Sequence, residues 1–271
     1  MLCGTSDLCV SFADLGTSTI HSEMTTEARS TKHEEQRAAK RVAGEAAADL
    51  VKDGMRLGLG TGSTTAFAIE AIGRRVREES LSVVGVPTSF AAERLAREYG
   101  VPITTLDDLA QSEAALSLDL AIDGADEVDP DLNLIKGRGA AHTREKIVAS
   151  LAERFVVLID PSKEVDQLGT KMPVPVEVLP MAEASVSKAL RDLGGEPVLR
   201  MGQHKDGPVV SDQGFWIVDA RFGTISNPAE LAAAISQIPG VLDHGLFIGM
   251  ATDVFVGEAD GSVRRRVKGE G

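Results

Sequence analysis

From Met55 to Ile159 the chain alternates short apolar runs with longer segments in which Ala, Val, Leu and Ile recur every three or four residues. Few folds accept that rhythm. An apolar run bounded by Gly, Asp or Pro reads as a buried strand, and the longer periodic segments read as amphipathic helices. Strand and helix in alternation predict a doubly wound, mostly parallel α/β sheet. The expected strands are Met55–Leu59, Leu81–Val84, Val101–Thr105, Leu118–Ile122 and Phe155–Ile159. The expected helices are Glu34–Lys52, Thr64–Glu79, Phe90–Tyr99, a short one near Leu109, and Ala141–Ala152. Composition agrees: 43% of residues are hydrophobic but only 4% aromatic, the Ala/Val/Leu/Ile mix of strands covered by helices.

After Met172 the texture changes. Pro173, Pro175 and Pro180 mark a boundary. A strand is expected at Val174–Val178, a helix at Met181–Leu193, β-rich stretches at Pro197–Met201, Val209–Val210 and Phe215–Phe222, and a helix at Pro228–Ile238. This reads as a small α+β unit. Gly245–Met250, Asp253–Val256 and Ser262–Val267 are strands expected to return to the first unit. The predicted division is residues 33–173 plus 245–268 for the larger domain and 174–244 for the smaller. Residues 1 to about 32 are rich in Ser and Thr and lack periodicity, so they are expected to form a poorly ordered leader, with Met24 as an alternative start. Asp7, Asp14 and Glu23 argue against a transit peptide.

The formal net charge is −13. That acidity argues against nucleic acid or an anionic membrane as the main partner. An anionic substrate would need a local basic pocket, for which Lys136, Arg138, Arg144, Lys146 and Lys163 are the candidates. Cys3 and Cys9 are the only cysteines, which rules out a disulfide scaffold. The histidines show no paired-ligand spacing, so no metal site is predicted. No apolar stretch is long enough to span a bilayer, no secretory signal is evident, and a cytoplasmic location is expected.

In open α/β sheets ligands bind at the carboxyl ends of the strands. Four blocks fall there. Gly58-Leu59-Gly60-Thr61-Gly62-Ser63-Thr64 joins a strand to a helix, where glycines and free helix N–H groups suit a phosphate. It is neither GxGxxG nor a P-loop, and a tight turn with a Ser/Thr cap would look the same. Asp123-Gly124-Ala125-Asp126-Glu127-Val128-Asp129 ends an apolar strand; a solvated acidic loop is the plain alternative. Lys136-Gly137-Arg138-Gly139 makes a turn before a helix that carries Glu145 in its first turn, where any carboxylate is favoured. His142 reads as a surface helix residue, with Arg144 and Lys146 exposed. Asp160-Pro161-Ser162-Lys163 ends the last strand of this half. A carboxylate, a lysine and an anion turn on one sheet edge suit proton transfer with stabilisation of a developing negative charge.

In this order GLGTGST, DGADEVD, KGRGAAHTREK and DPSK resemble the ribose-5-phosphate isomerase family of type A, as do PVEVLPMA and IPGVLDHGLF further on. The resemblance covers roughly Glu34 to Lys268. It implies a Rossmann-like sheet with a smaller ferredoxin-like α+β domain, no cofactor, and a homodimer or homotetramer. It implies interconversion of D-ribose 5-phosphate and D-ribulose 5-phosphate, a step of the non-oxidative pentose phosphate pathway, through a cis-enediolate. By position, Glu145 matches the general base and Lys136 the lysine that stabilises the enediolate. Asp123 and Asp126 match acids that assist ring opening and hold hydroxyls. Thr61, Gly62, Ser63 and Thr64 match the substrate loop, with Ser63 and Thr64 on the phosphate. Gly124, Ala125, Gly137, Arg138 and Gly139 shape the sugar site, and Lys163 matches a further substrate lysine. Two positions depart from the pattern: Arg138 stands where a glycine is usual and His142 where an apolar residue is common.

Other functions are weighed on the same residues. A non-catalytic sugar-phosphate sensor would usually carry a DNA-binding helical module, for which the leader is too short and irregular. An acyl-CoA transferase would use a glutamate nucleophile, which the lysine-rich blocks fit less well. A nicotinamide-dependent dehydrogenase is the weakest reading, because the glycine spacing is wrong.

Overall fold

A computed structural model of the chain describes residues 34–111 and 116–269. The leader expected over residues 1 to about 32 lies outside the described residues. In chain order the first half comprises α1 (residues 34–48), β1 (Arg56–Leu59), α2 (Thr65–Glu78), β2 (Val84–Pro87), α3 (Phe90–Tyr99), α4 (Leu106–Ala110) and β3 (Leu118–Gly124). It continues with β4 (Glu127–Val128), β5 (Leu134–Ile135), α5 (His142–Ser150) and β6 (Ala152–Ile159). The second half comprises β7 (Val174–Val178), α6 (Glu183–Asp192), β8 (Glu196–Leu199), β9 (Trp216–Arg221), α7 (Pro228–Ser236), β10 (Val241–His244), β11 (Leu246–Phe247), β12 (Asp253–Gly257) and β13 (Val263–Val267).

The main sheet has the order β13-β12-β6-β3-β1-β2, parallel throughout except for β13 at its edge. Its parallel strands are largely buried on both faces, as such a sheet requires, while the edge strand β13 is partly exposed. Leu57, Leu59, Leu120, Ile122, Val156 and Leu158 pack on one side with Ala43, Ala47, Ala68, Ile69 and Ile72 of α1 and α2. Leu118, Ala121, Phe155, Val157 and Ile159 pack on the other side with Val148 and Ala149 of α5. The chain runs from β1 to β2 on one side and returns to β3 on the other. The topological switch point, where such sheets bind ligands, therefore lies between β1 and β3.

The second sheet, β10-β7-β9-β8, is antiparallel, and the run β7-α6-β8-β9-α7-β10 gives it the ferredoxin-like arrangement. A third small sheet, β11-β5-β4, joins the two. No helix among the described residues is long and apolar enough to cross a membrane.

Helix ends follow the local chemistry. The Ser89 side chain caps α3 by accepting from Ala92 N–H at 3.0 Å, and Gly100, at φ 75°, closes the helix in the left-handed region. Some expected strands shrink. Val101–Thr105 contributes only the bridge of Ile103 to Gly85, because Pro102 has no N–H to extend the ladder. Val209–Val210 is likewise a single bridge, Val210 to Trp216. β2 begins at Val84, since Ser82 is tied into the preceding turn by Asp53 and Gly54. β10 carries Asp243 and His244 and offers no apolar run to read.

Candidate active site

The carboxyl ends of β1, β3 and β6 meet around a cleft of about 350 Å³. The turn after β1 holds Thr61, Gly62, Ser63 and Thr64. Thr61 N–H donates to Asp123 Oδ1 at 3.1 Å, and Gly60 N–H to Ile122 O at 2.9 Å, which lashes this turn to the end of β3. The approach needs glycine: a Cβ on Gly60 would come within 2.4 Å of the Asp123 carboxylate. Thr64 precedes α2 but its side chain makes no capping bond, so the capped-turn reading fails. The hydroxyl of Thr65 is buried without a partner beside Gly62 and Gly124. That hydroxyl and the N–H groups of Ser63, Thr64 and Thr65, which take no partner among the described residues, suit an anion.

The acidic run divides its labour. β4 and β5 form a hairpin in register Glu127↔Ile135, which sets Asp126 at one end beside Lys136 at the other. Glu127 is fully buried and accepts from the N–H groups of Gly169, Lys171 and Met172. Asp129 accepts from Asn133 N–H at 2.8 Å and from its side-chain amide at 3.0 Å, closing the hairpin. These two acids build structure. Asp126 lines the cleft and accepts from Arg138 N–H at 3.0 Å. Asp123 is buried just below, 3.1 Å from the Lys136 ammonium.

Lys136 occupies the centre. Its ammonium donates to Gly124 O, sits 3.1 Å from Asp123 Oδ2 and 3.2 Å from Glu145 Oε2, and faces the Phe247 ring at 5.5 Å. Only 2% of Lys136, 3% of Asp123 and 5% of Glu145 is exposed. Glu145 Oε2 makes no aligned hydrogen bond, so its tie to Lys136 is electrostatic. Burial, then the nearby charge of Asp123, pushes the Glu145 carboxyl up to about 8 against the pull of Lys136. Burial raises Asp123 as well. For Lys136, burial opposes the charge, but Asp123 and Glu145 outweigh it and its affinity for the proton is raised. The three groups titrate as a unit.

Ser63, Thr64, Gly124, Ala125, Gly137, Arg138, Gly139 and Lys163 also line the cleft. Sequence reasoning missed two residues: Thr65, and Lys40, which reaches the cleft from α1. The only hint of Lys40 was its spacing from Gln36, one helical turn earlier, whose side chain donates to Asp160 at 3.2 Å and anchors α1 beside the DPSK turn.

Three expectations are corrected. His142 is wholly buried, because α5 lies under the loop that follows Lys136 and turns His142 inward; desolvation, with Lys146 nearby, lowers its pKa to about 3. Lys146 is not exposed and does not join the basic pocket; it pairs with Asp243 and His244 O. Arg144 also turns away, stacking 5.3 Å from the Phe90 ring. Among the described residues the cations at the cleft are Lys136, Arg138, Lys163 and Lys40. Among the described residues no cluster of His, Cys, Asp and Glu could hold a metal ion.

A doubly wound α/β fold with a buried acid–lysine pair at its switch point, beside a turn suited to an anion, has the make-up of a class of enzymes that move protons on small anionic substrates. The model of the family Ribose 5-phosphate isomerase A (phosphoriboisomerase A) matches residues 84–261. The ribose-5-phosphate isomerase A of Thermosynechococcus vestitus is 60% identical over 220 residues, which is 81% of this chain and 91% of that protein. The solved ribose 5-phosphate isomerase A of Methanocaldococcus jannaschii is 47% identical, with a TM-score of 0.79 over 85% of this chain and 98% of its own. A D-ribose-5-phosphate isomerase solved in complex with phospho-erythronic acid is 45% identical, with a TM-score of 0.80 over 84% and 97%. The chain belongs to the ribose 5-phosphate isomerase A family and is an aldose–ketose isomerase.

Proposed function

We propose that the cleft interconverts D-ribose 5-phosphate and D-ribulose 5-phosphate with Glu145 as the proton carrier. The reading rests above all on the buried Glu145–Lys136 contact at 3.2 Å, set on the floor of a cleft with an anion-binding turn at its rim. The Glu145 carboxylate takes the proton from C2 of the open-chain aldose, and charge moves onto O1. The Lys136 ammonium and neighbouring backbone amides stabilise this cis-enediolate. Glu145 returns its proton to C1 while the O2 hydroxyl proton passes to O1, so the ketose forms with nothing gained or lost. Ser63, Thr64, Lys163 and Lys40 take the phosphate, which holds C1 and C2 over the base. Asp126 receives sugar hydroxyls and assists ring opening. Asp123, buried beneath, acts chiefly by orienting Lys136 and the two backbone segments it binds. Phospho-erythronic acid, the ligand of one similar protein, joins a phosphate to a planar carboxylate. Its two ends would meet the same turn and the same ammonium here. A cytoplasmic homodimer or homotetramer belongs to this reading, and light scattering of the purified protein tests the assembly.

The deciding assay is ribulose 5-phosphate formed from ribose 5-phosphate by the wild type and by Glu145→Gln. Loss of a general base predicts a fall in kcat of about 10²- to 10⁴-fold, with ribose 5-phosphate still bound. Undiminished turnover in the variant would remove Glu145 from the role.

A further inference from the structure

The loop after Lys136 forms one side of the cleft and holds an unusual shape. Gly137 has φ 108° and Ala140, although not a glycine, has φ 58°. From below, His142 packs so tightly that a Cβ on Gly137 would meet its Nδ1 at 2.7 Å. From the side, the restraint comes from the other sheet. Arg200, just beyond β8, donates through Nη1 to both Gly137 O and Arg138 O, each at 3.0 Å. The other edge of its guanidinium is gripped by Asp219 of β9, with Nε 2.8 Å from Oδ2. Its own backbone is fixed, since Arg200 N–H donates to Ile217 O at 2.8 Å. A planar fork can hold a carboxylate and two carbonyls at once; an ammonium cannot do so from one position.

The peptide planes turn this grip into chemistry. In a trans peptide the C=O and N–H point in opposite directions. Gly137 O points to Arg200, and the N–H of the same peptide, on Arg138, meets Asp126 Oδ2 in the cleft. Arg138 O also points to Arg200, so the Gly139 N–H is turned the same way as the Arg138 N–H, and it takes no partner among the described residues.

We propose that Arg200, braced by Asp219, is a positioning residue that turns the Gly139 N–H toward the developing enediolate oxygen and fixes the loop behind Lys136. This rests on the reading of the cleft given above. It gives the smaller sheet a part in catalysis at a site that it does not line with a reacting group.

The test compares the wild type with Arg200→Met and Arg200→Lys. It measures kcat and KM for ribose 5-phosphate, the inhibition constants of inorganic phosphate and of phospho-erythronic acid, and Tm. Misplacing one amide donor predicts a fall in kcat of about 10- to 100-fold in both variants. Phospho-erythronic acid, whose carboxylate mimics the enediolate, should weaken by at least about tenfold, while inorganic phosphate changes by less than about twofold. Arg200→Lys with kcat within about threefold of wild type would overturn the proposal, as would equal weakening of both inhibitors. If Arg200→Met does not fold, the lysine variant decides. The two inhibition constants test the clamp even if the wild type shows no turnover, a result that would count against the reading of the cleft instead.

Discussion

Replacing Lys136 with methionine should make the protein's stability fall more steeply with rising pH than the wild type's does. Among the described residues this ammonium is the one cation within 3.1–3.2 Å of two carboxylates that are each at most 5% exposed. Methionine keeps the volume of the stem and removes only the charge. Because the Glu145 carboxyl is pushed up to about 8, the pair already holds a proton near neutral pH. One buried carboxylate then loses its partner, at a cost of about 3–5 kcal/mol. For a chain of this size that lowers Tm by roughly 10 °C. The sign follows from the direction of the shifts. Without Lys136 both folded carboxyls rise further above their unfolded values. A raised carboxyl contributes stability below its unfolded pKa and loses it as pH rises through the folded one. The Tm gap between wild type and Lys136→Met should therefore be smallest near pH 5 and widest above pH 8. Differential scanning fluorimetry at pH 5, 6.5 and 8.5 measures it directly. A gap that stays constant with pH, or a variant as stable as wild type at pH 8.5, would refute the claim that the ammonium compensates buried charge.

Three further outcomes follow from the same geometry. Lys163→Ala and Lys40→Ala should raise KM by about tenfold with a smaller loss of kcat, whereas Lys136→Ala should act mainly on kcat; steady-state kinetics with the opposite ordering would contradict the division of roles. With Glu145 as the proposed base, which must be deprotonated in the free enzyme, kcat/KM should fall about tenfold per unit below about pH 8, and a profile flat from pH 6.5 to 9 would exclude it from that role. Arg138 is exposed at the mouth of the cleft in a chain of net charge −13, so Arg138→Gly should lower kcat/KM and flatten its dependence on ionic strength while kcat holds. Unchanged salt dependence would count against a steering role.

The parts of the fold legible in the sequence were those set by local chemistry. Helix α3 was readable to the residue because Gly100 stops it and its apolar positions repeat every three or four residues. β7 was readable because five residues buried on both faces sit between prolines. β4 and β5 are not, since two-residue strands carry no periodicity and exist only through long-range pairing, and of the strand expected at Gly245–Met250 only Leu246 and Phe247 pair, as β11. The same limit governed the site. The clustering of Gly, Asp and Lys at strand ends marked the cleft, but Lys40 and Arg200 lie on elements whose place is set by tertiary packing. The burial of His142 escapes the sequence for a related reason. A histidine after a glycine turn carries no signal of burial until the loop folds over it. Within DGADEVD, sequence could not separate Glu127 and Asp129, spent on backbone amides, from Asp123 and Asp126. The hairpin register makes that separation.

The arrangement at Lys136 is poor as a device for stability. Two buried carboxyls share one ammonium, so one of them must hold a proton to stay neutral, and a well-packed apolar trio would cost less. With Glu145 as the proposed base, what the cluster gains is a carboxyl whose proton affinity lies near neutral pH, suited to taking and returning a proton within one turnover. The requirement also explains the burial. In water Glu145 would be a weak base and Lys136 a solvated cation. Sealed beneath the turn after β1 and the loop after β5, each acts at close range on the other and on any charge that develops above them. The glycines at 60 and 137 serve that seal, since a side chain at either would strike Asp123 or His142 and lift the cover from the cluster.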